Sequence, residues 1–312
     1  MSGIRISIVT AYFNRKKLFY NTLLSIRRSA VTNIEVIAVD DGSSADERLE
    51  YLQAEFNFLK IIRLEQADKW YVNPCIPFNK GFAAASGDIV ILQNPECLHY
   101  GDILKYADEN LGANDYFSFA SYSLDRETTE LLSSSEIKGD QFYSSIKFRD
   151  TAAVSDGDAG WYNHSRYDPA GFHWCAAIYR KTLVELGGFD DRYALGVAFD
   201  DIELLVRIKK KGMNFRIIDQ PLVLHQNHFI PHPETNKNVN PHYTRKNADL
   251  LWAKNEYLFT NYTSKKKDWR AKKNTVSTLK AFDLLLTWKL KFPLLFRSQM
   301  HRFKNKWSRI SR

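Results

Sequence analysis

The chain has 312 residues, of which 44% are hydrophobic and 14% aromatic, which is typical of a folded, soluble-type protein with one large or two modest domains. Its net charge of +8 is uneven: residues 265–312 carry fifteen Lys and Arg against Asp268 and Asp283, or +13, so residues 1–264 carry −5. The three cysteines show no CxxC spacing, which argues against a zinc site or a disulfide framework and fits a reducing cytoplasm. The first apolar run is too short for a signal peptide, and no stretch reaches the roughly 20 apolar residues of a spanning helix.

The first hundred residues alternate short β-branched runs with helical patterns. Predicted in order are the strand "IRISIVTA", a helix, the strand "IEVIAV", a helix in "ADERLEYLQAEF", the strand "LKIIRLE", a helix from about Asn79 and the strand "DIVILQ". Continuous apolar runs predict strands covered on both faces, as in parallel sheets. This order predicts an open, doubly wound sheet that binds ligands at the carboxyl ends of its strands.

The second half is less regular. Residues 115–175 contain Ser- and Asp-rich stretches that indicate surface loops. Three later segments are regular: a strand passing into a helix that ends at Gly187-Gly188, the helix "DDIELLVRIKKKG" with Ile202, Leu205, Val206 and Ile208 inward, and the strand "NFRIIDQPLVLH".

The segment "VDDGSSAD" places Asp40 and Asp41 directly after a buried strand and before a predicted helix. A carboxylate there can accept hydrogen bonds from a nucleobase or a ribose hydroxyl, while the helix N-terminus favours phosphate oxygens. An Asp-rich helix cap without a ligand is the alternative.

Five segments occur in an order that resembles the GT-A-fold glycosyltransferases of family 2: "SIVTAYFNR", "VIAVDDGSSAD", "FNKGFAAASGDIVILQNPE", "GGFDDRY" and "GVAFDDIELLVRIKKKG". The resemblance covers roughly residues 4–228. It implies an α/β fold, with a Rossmann-like, mostly parallel sheet and helices on both faces. It also implies a transferase domain over 1–264, with a nucleotide-binding half (1–100) and an acceptor half with a lid (101–264). The activity implied is inverting transfer from a nucleoside-diphosphate sugar, with UDP favoured.

The resemblance also implies donor-binding residues. Thr10 and Ala11 would flank the base, and Asp41, with Asp40 beside it, would contact the nucleoside. Asn79 and Lys80 match the segment before the metal strand, where Lys80 is a candidate diphosphate contact.

The stretch Gln93-Asn94-Pro95-Glu96 occupies the position of the family's Asp-x-Asp. A cation bridging two phosphates needs few protein ligands, so Glu96 can suffice, and Asn94 offers an oxygen to a ribose hydroxyl or a metal-bound water. By resemblance His225 is a second ligand, and its imidazole favours Mn²⁺ over Mg²⁺. The alternatives are that Glu96 is a solvent-facing residue of a turn, that His225 is a residue of the core or rim, and that transfer needs no metal.

"FDDIE" supplies Asp200 and Asp201, where the family's Glu-Asp pair lies. Inverting transfer needs a base that takes the acceptor hydroxyl's proton, and Asp201 is the predicted base, with Asp200 orienting the acceptor or the turn. Two carboxylates offsetting a helix dipole are the alternative.

The stretch 160–175 is rich in aromatic residues. Because sugars present apolar C–H faces, Trp161, His173 and Trp174 are predicted to form the donor-sugar and acceptor wall, the alternative being aromatics that fill the core.

Residues 265–312 form the basic tail, predicted to be an amphipathic helical appendage that Pro293 breaks in two. Its apolar stripe is Phe296, Met300, Phe303, Trp307 and Ile310. A basic amphipathic helix with Trp and Phe fits an anionic membrane surface, which predicts a peripheral protein on the inner face of a membrane. Packing against a second copy of the chain is the alternative, and the acidic body argues against nucleic acid.

The sequence therefore predicts a cytoplasmic, peripheral glycosyltransferase acting on a glycan, with a lipid-linked saccharide favoured, in surface polysaccharide synthesis. Sugar nucleotidyltransferases share the nucleotide-binding half, but they need an early Gly-rich loop, and "TAYFNRKK" has no glycine. A glycan-binding or scaffold protein without turnover is a second rival.

Overall fold

The structure, a computed structural model, describes residues 3, 5–133, 140–228, 247–263, 268–271 and 274–291. Nine strands of these residues form one sheet. The strands are β1 (Ile6–Tyr12), β2 (Ile34–Asp40), β3 (Leu59–Arg63), β4 (Ile89–Gln93), β5 (Cys97–Tyr100), β6 (Asp115–Ser123), β7 (Gly160–Asn163), β8 (Cys175–Tyr179) and β9 (Asn214–His225). The helices are α1 (Lys16–Ile26), α2 (Cys75–Ala84), α3 (Ile103–Asn110), α4 (Arg126–Ser133), α5 (Asp140–Ser145), α6 (Arg180–Leu186), α7 (Asp200–Lys210) and α8 (Ala248–Leu258). Residues 276–291 are also helical.

The strand order is β3-β2-β1-β4-β8-β6-β9-β5, with β7 added beside β6. The four strands of the first half are parallel, as predicted. Beyond β4 the sheet is mixed, because β8 runs antiparallel to both β4 and β6, whereas β6 and β9 are parallel. The α/β class is confirmed, and β1 to β4 form the all-parallel part of the sheet.

Both faces of the sheet are covered. Alternate residues of β1 and β2 contribute to different cores: Ile8 packs with α1 and α3, whereas Val9 packs with α2, α6 and α7. Helices on both faces therefore explain why the first strands are continuously apolar rather than alternating.

Two predicted helices differ from those observed. In place of one helix over "ADERLEYLQAEF" there are two short 3₁₀ helices, Ala45–Glu47 and Glu50–Ala54, although Leu49, Leu52 and Phe56 still face the core. The helix predicted from about Asn79 is α2, and it begins earlier, at Cys75. The Asn73 side chain accepts a hydrogen bond from the Cys75 N–H at this helix start.

Part of the predicted tail packs on the preceding part of the chain. In the 276–291 helix, Leu286 is buried with Tyr193 and Leu258, and Lys254 of α8 pairs with Asp283 at 2.6 Å. The stripe Phe296 to Ile310, the break at Pro293 and the predicted lid after His228 lie outside the described residues. None of the helices in the described ranges combines the length and apolar character needed to span a bilayer.

Two strand pairings bring the predicted site residues to one edge. Tyr12, the last residue of β1, pairs with Asp40, the last residue of β2, and β4 ends beside them. On the far side of the sheet, β5 begins at Cys97, directly opposite His225 at the end of β9. The residues that follow β4 therefore meet the end of β9.

Candidate active site

A cavity of about 450 Å³ opens at the sheet edge where β1, β2 and β4 end. Its walls are the loops that follow these strands, the start of α2 and the turn that precedes α7. The predicted site residues among its lining are Ala11, Asp41, Asn94, His173, Asp200 and Asp201. The fold thus brings predicted nucleoside-binding and catalytic residues to one cavity.

Asp41 lies in the cavity wall and is held by two side chains that sequence reasoning missed. Lys69 donates a hydrogen bond to its Oδ2, and the Tyr71 hydroxyl donates one to its Oδ1. Burial raises the pKa of Asp41, and the positive charge of Lys69 only partly opposes this effect. The cavity therefore presents an oriented acceptor beside a cation.

Asp40 and Thr10 have different surroundings. Asp40 is fully buried, where its Oδ1 accepts a hydrogen bond from the Ser43 N–H and its Oδ2 lies 2.9 Å from Arg63. Thr10 is buried within β1, and its hydroxyl has no hydrogen-bond partner in the described residues. Asp40 shapes the turn that presents Asp41, and neither Asp40 nor Thr10 belongs to the cavity lining described above.

The acid pair begins α7 after a turn with unusual backbone angles. Ala198 and Phe199 have φ of 58° and 67°, a region that costs non-glycine residues energy and often marks functional sites. Asn73 donates a 2.8 Å hydrogen bond to Asp200 Oδ1, whereas Asp201 is partly exposed at the cavity. The two carboxylates therefore have distinct environments.

Burial shifts the pKa of each acidic group in this pair. Burial and then the charge of Asp201 raise the pKa of Asp200 to about 6, against the opposing effects of His173 and Asn73. Burial also raises the pKa of Asp201. Burial lowers the pKa of His173, whose ring packs edge-on against Phe78. A carboxylate with a raised pKa is a stronger proton acceptor once it is ionised, as a general base requires.

Helix α8 fixes the turn before the acid pair. The Asn255 side chain donates to the carbonyls of Ala198, at 2.8 Å, and Tyr193, at 3.1 Å. The Val197 N–H donates to the Leu251 carbonyl. This strained turn is therefore held by a helix distant from it in sequence.

Glu96 and His225, predicted as metal ligands, are neighbours in the structure. Glu96 Oε1 lies 3.1 Å from His225 Nε2 and 3.4 Å from His228 Nε2, and Oε2 lies 2.7 Å from Arg15 Nη1. Burial opposes the ionisation of Glu96, but Arg15 and the two imidazoles outweigh it and hold the pKa of Glu96 well below its usual range. The carboxylate and both histidines place one ligand atom each within 4.8 Å of one another, which suits a divalent transition metal.

The predicted aromatic wall is divided. Trp161 is buried among aromatics, stacked on Phe148, and its indole N–H donates to the Arg149 carbonyl. Trp174 is partly exposed and stacks on Tyr162 at 5.7 Å. His173 is the member of the three that lines the cavity, while the environment of Trp161 is that of a core residue.

Asn79 and Lys80 lie in α2. The Asn79 side chain donates to the Phe189 carbonyl and to Asp191, and accepts from the Phe189 N–H, so it joins α2 to the loop after α6. Lys80 is exposed, and the residues that line the cavity in the described ranges do not include it. These contacts give Asn79 a structural role, and the diphosphate contact of Lys80 stays a prediction.

The chain is similar to known glycosyltransferases. Residues 7–162, half of the chain, match the model of Glycosyl transferase family 2, and the chain belongs to this family. It is 26% identical over 268 residues to the uncharacterized glycosyltransferase YfnE of Bacillus subtilis (strain 168), a match that covers 72% of this chain. The chain spans 65% of that relative's length.

Two solved structures are similar to this chain. The mannosyltransferase PcManGT from Pyrobaculum calidifontis, in complex with GDP-Man and Mn²⁺, is 16% identical with a TM-score of 0.44, covering 72% of this chain and 57% of its own. Residues 1–349 of S. aureus TarS are 15% identical with a TM-score of 0.46, covering 84% of this chain and 73% of their own. Both are likenesses of fold.

Proposed function

We propose that this glycosyltransferase moves a sugar from a nucleoside-diphosphate donor, with UDP favoured, to a hydroxyl of a glycan acceptor, with inversion at the anomeric carbon. The observation that supports it is the single cavity lined by Asp41, Asn94 and Asp201. Asp41 binds the nucleoside, and the side-chain oxygen of Asn94 accepts a hydrogen bond from a ribose hydroxyl.

Asp201 is the base. It takes the acceptor hydroxyl's proton as the acceptor oxygen bonds to the anomeric carbon, while the bond from that carbon to the diphosphate breaks on the opposite face. Asp200, hydrogen-bonded to Asn73 and next to His173, positions the turn and the acceptor. The partial exposure of Asp201 at the cavity supports this division of roles.

Glu96 and His225, with His228 beside them, would hold a divalent cation, and Mn²⁺ is favoured because imidazole is among the ligands. Such a cation supplies positive charge to the departing diphosphate.

The favoured acceptor is a lipid-linked saccharide of a surface polysaccharide, met at the inner face of a membrane. Support comes from the 276–291 helix, where Leu284, Leu285 and Trp288 are 71%, 70% and 73% exposed. With a net charge of +13 over residues 265–312, this apolar surface suits an anionic lipid headgroup region.

The test is a panel of UDP- and GDP-sugars with Mn²⁺, read by thermal stabilisation, followed by transfer assays with glycan acceptors and NMR of the anomeric configuration. Asp201→Asn should lower transfer by about 10²–10⁴-fold while donor binding is kept, because the lost group is a general base. Asp88→Asn, an exposed Asp outside the cavity lining, is the matched control. Equal transfer by Asp201→Asn and the wild type would refute the role of Asp201, and no stabilisation by any nucleotide sugar would refute the donor class.

A further inference from the structure

Arg15 belongs to two neighbouring sites. It follows β1 at the start of α1, and its Nη1 lies 2.7 Å from Glu96 Oε2. The same residue lines the 450 Å³ cavity together with Asp41 and Asn94. The Arg15 side chain is 24% exposed, whereas that of Glu96 is 2% exposed. Arg15 therefore both contacts the buried Glu96 carboxylate and lines the cavity.

Glu96 contacts three side chains that carry positive charge or can bind a metal. Its Oε1 faces two imidazoles, and its Oε2 holds the guanidinium. A divalent cation bound by Glu96 and His225 would lie close to the guanidinium in a buried setting, where like charges repel strongly. The cation and Arg15 therefore compete for Glu96.

The cavity offers Arg15 a second anionic partner once a donor is bound. A planar guanidinium matches phosphate oxygens with paired hydrogen bonds. We propose that Arg15 neutralises Glu96 in the empty enzyme and transfers to the donor's diphosphate when a divalent cation binds Glu96 and His225. This exchange makes cation and donor binding mutually dependent, and it rests on the proposed nucleoside-diphosphate donor.

The exchange gives Arg15→Gln two opposite effects. Without nucleotide, Mn²⁺ should bind the variant about tenfold more tightly than the wild type, because the competing charge is gone. With saturating Mn²⁺, UDP or GDP should bind about tenfold more weakly, because the diphosphate loses a charged partner. Arg15→Lys keeps the charge, so its affinities for Mn²⁺ and for the nucleotide should lie between those of the wild type and Arg15→Gln. Mn²⁺ binding is measured by electron paramagnetic resonance, and nucleotide binding by calorimetry.

Arg27→Gln is the matched control, since Arg27 pairs with Glu55 at the other end of α1 and the two side chains are 49% and 41% exposed. It should change neither affinity. Circular dichroism melts of Arg15→Gln and Arg15→Lys show whether each variant folds, and Arg15→Lys carries the test if Arg15→Gln does not. Unchanged or weaker Mn²⁺ binding by the folded variant would overturn the exchange. Failure of the wild type itself to bind UDP or GDP with Mn²⁺ would instead overturn the proposed function.

Discussion

At the residue scale, Asp200 and Asp201 are adjacent in sequence but differ in environment. Asp200 is 5% exposed and bonded to Asn73, and burial together with the charge of Asp201 raises its pKa to about 6. Above this pH Asp200 is ionised in a place that disfavours its charge. The position therefore lowers stability at neutral pH, as functional positions often do.

Asp200→Asn should raise stability at neutral pH. A pKa raised from 3.8 to about 6 means that the folded state binds the proton more tightly, so the stabilisation from protonation is complete below pH 3.8 and is lost as pH rises through about 6. The Asn variant avoids that loss, which amounts to roughly 1–3 kcal/mol. Denaturant melts at pH 4 and pH 7.5 should therefore show a stability gain for Asp200→Asn only at the higher pH.

Asp88→Asn, at an exposed position, is the control, and it should change the unfolding free energy by the same amount at pH 4 and at pH 7.5. A gain for Asp200→Asn of the same size at both pH values would mean that ionisation of Asp200 is not its origin. Transfer activity should fall in Asp200→Asn, because the acceptor and the turn lose their orienting carboxylate.

Sequence reasoning singled out residues that directly follow strands as site candidates, and it missed the residues that contact them. Asp41, Asn94 and Glu96 come after apolar runs, which is a local signal. Lys69 and Asn73 show no such signal, because Asn73 meets Asp200 across 127 residues of sequence. Arg15 was visible in "TAYFNRKK", but its partner Glu96 is 81 residues away, and only the fold joins them.

At the element scale, the start of α7 depends on α8. Asn255 is fully buried and donates to the carbonyls of Tyr193 and Ala198, on both sides of Gly196. A Cβ at Gly196 would lie 2.3 Å from the Asn255 side-chain oxygen, so the turn and α8 are in close contact.

Asn255→Ala should lower stability by about 2 kcal/mol, since two buried carbonyls lose their donor. It should also lower kcat more than it raises KM, because Asp201 is no longer held in position. Asn261→Ala removes a comparable bond to the Tyr257 carbonyl at a partly exposed position and should do neither. If Asn255→Ala is destabilised but its kcat is unchanged, the turn before α7 does not need Asn255 to hold Asp201 in position.

The helical pattern of α7 predicted its location and end but not all of its buried face. Ile202 and Val206, predicted inward, are half-buried, while Glu203 and Arg207 are buried at 2% exposure each. These two form an ion pair at 2.8 Å, and Arg207 also donates to the carbonyls of Leu186 and Gly188. Helical periodicity assigns charged residues to the exposed face. It therefore does not predict a buried ion pair, in which hydrogen bonds offset the free-energy cost of burying the charges.

At the scale of the whole molecule, the 276–291 helix has two apolar faces. Leu279 and Leu286 are 4% and 5% exposed, whereas Leu284, Leu285 and Trp288 are exposed. The sequence predicted a separate basic appendage, and no local pattern shows that one face of this helix packs beside Tyr193 and Leu258.

The roles of the two faces can be distinguished by experiment. The triple change Leu284→Ser, Leu285→Ser, Trp288→Ser should weaken sedimentation with phosphatidylglycerol vesicles and leave the melting curve unchanged. Leu286→Ala should keep vesicle binding but cost about 2–3 kcal/mol of unfolding free energy, because a buried side chain is removed. Val184→Ser, at an exposed apolar position of α6, is the control for vesicle binding. Full vesicle binding by the triple variant would contradict the membrane role of this face.

The pairing of β5 with β9 limits where the chain can change length. Cys97 lies opposite His225, and successive strand residues point to opposite faces. One residue inserted into β9 would turn the His225 imidazole away from Glu96 even if every side chain of the site were retained. Asn214–His225 must therefore keep its number of residues.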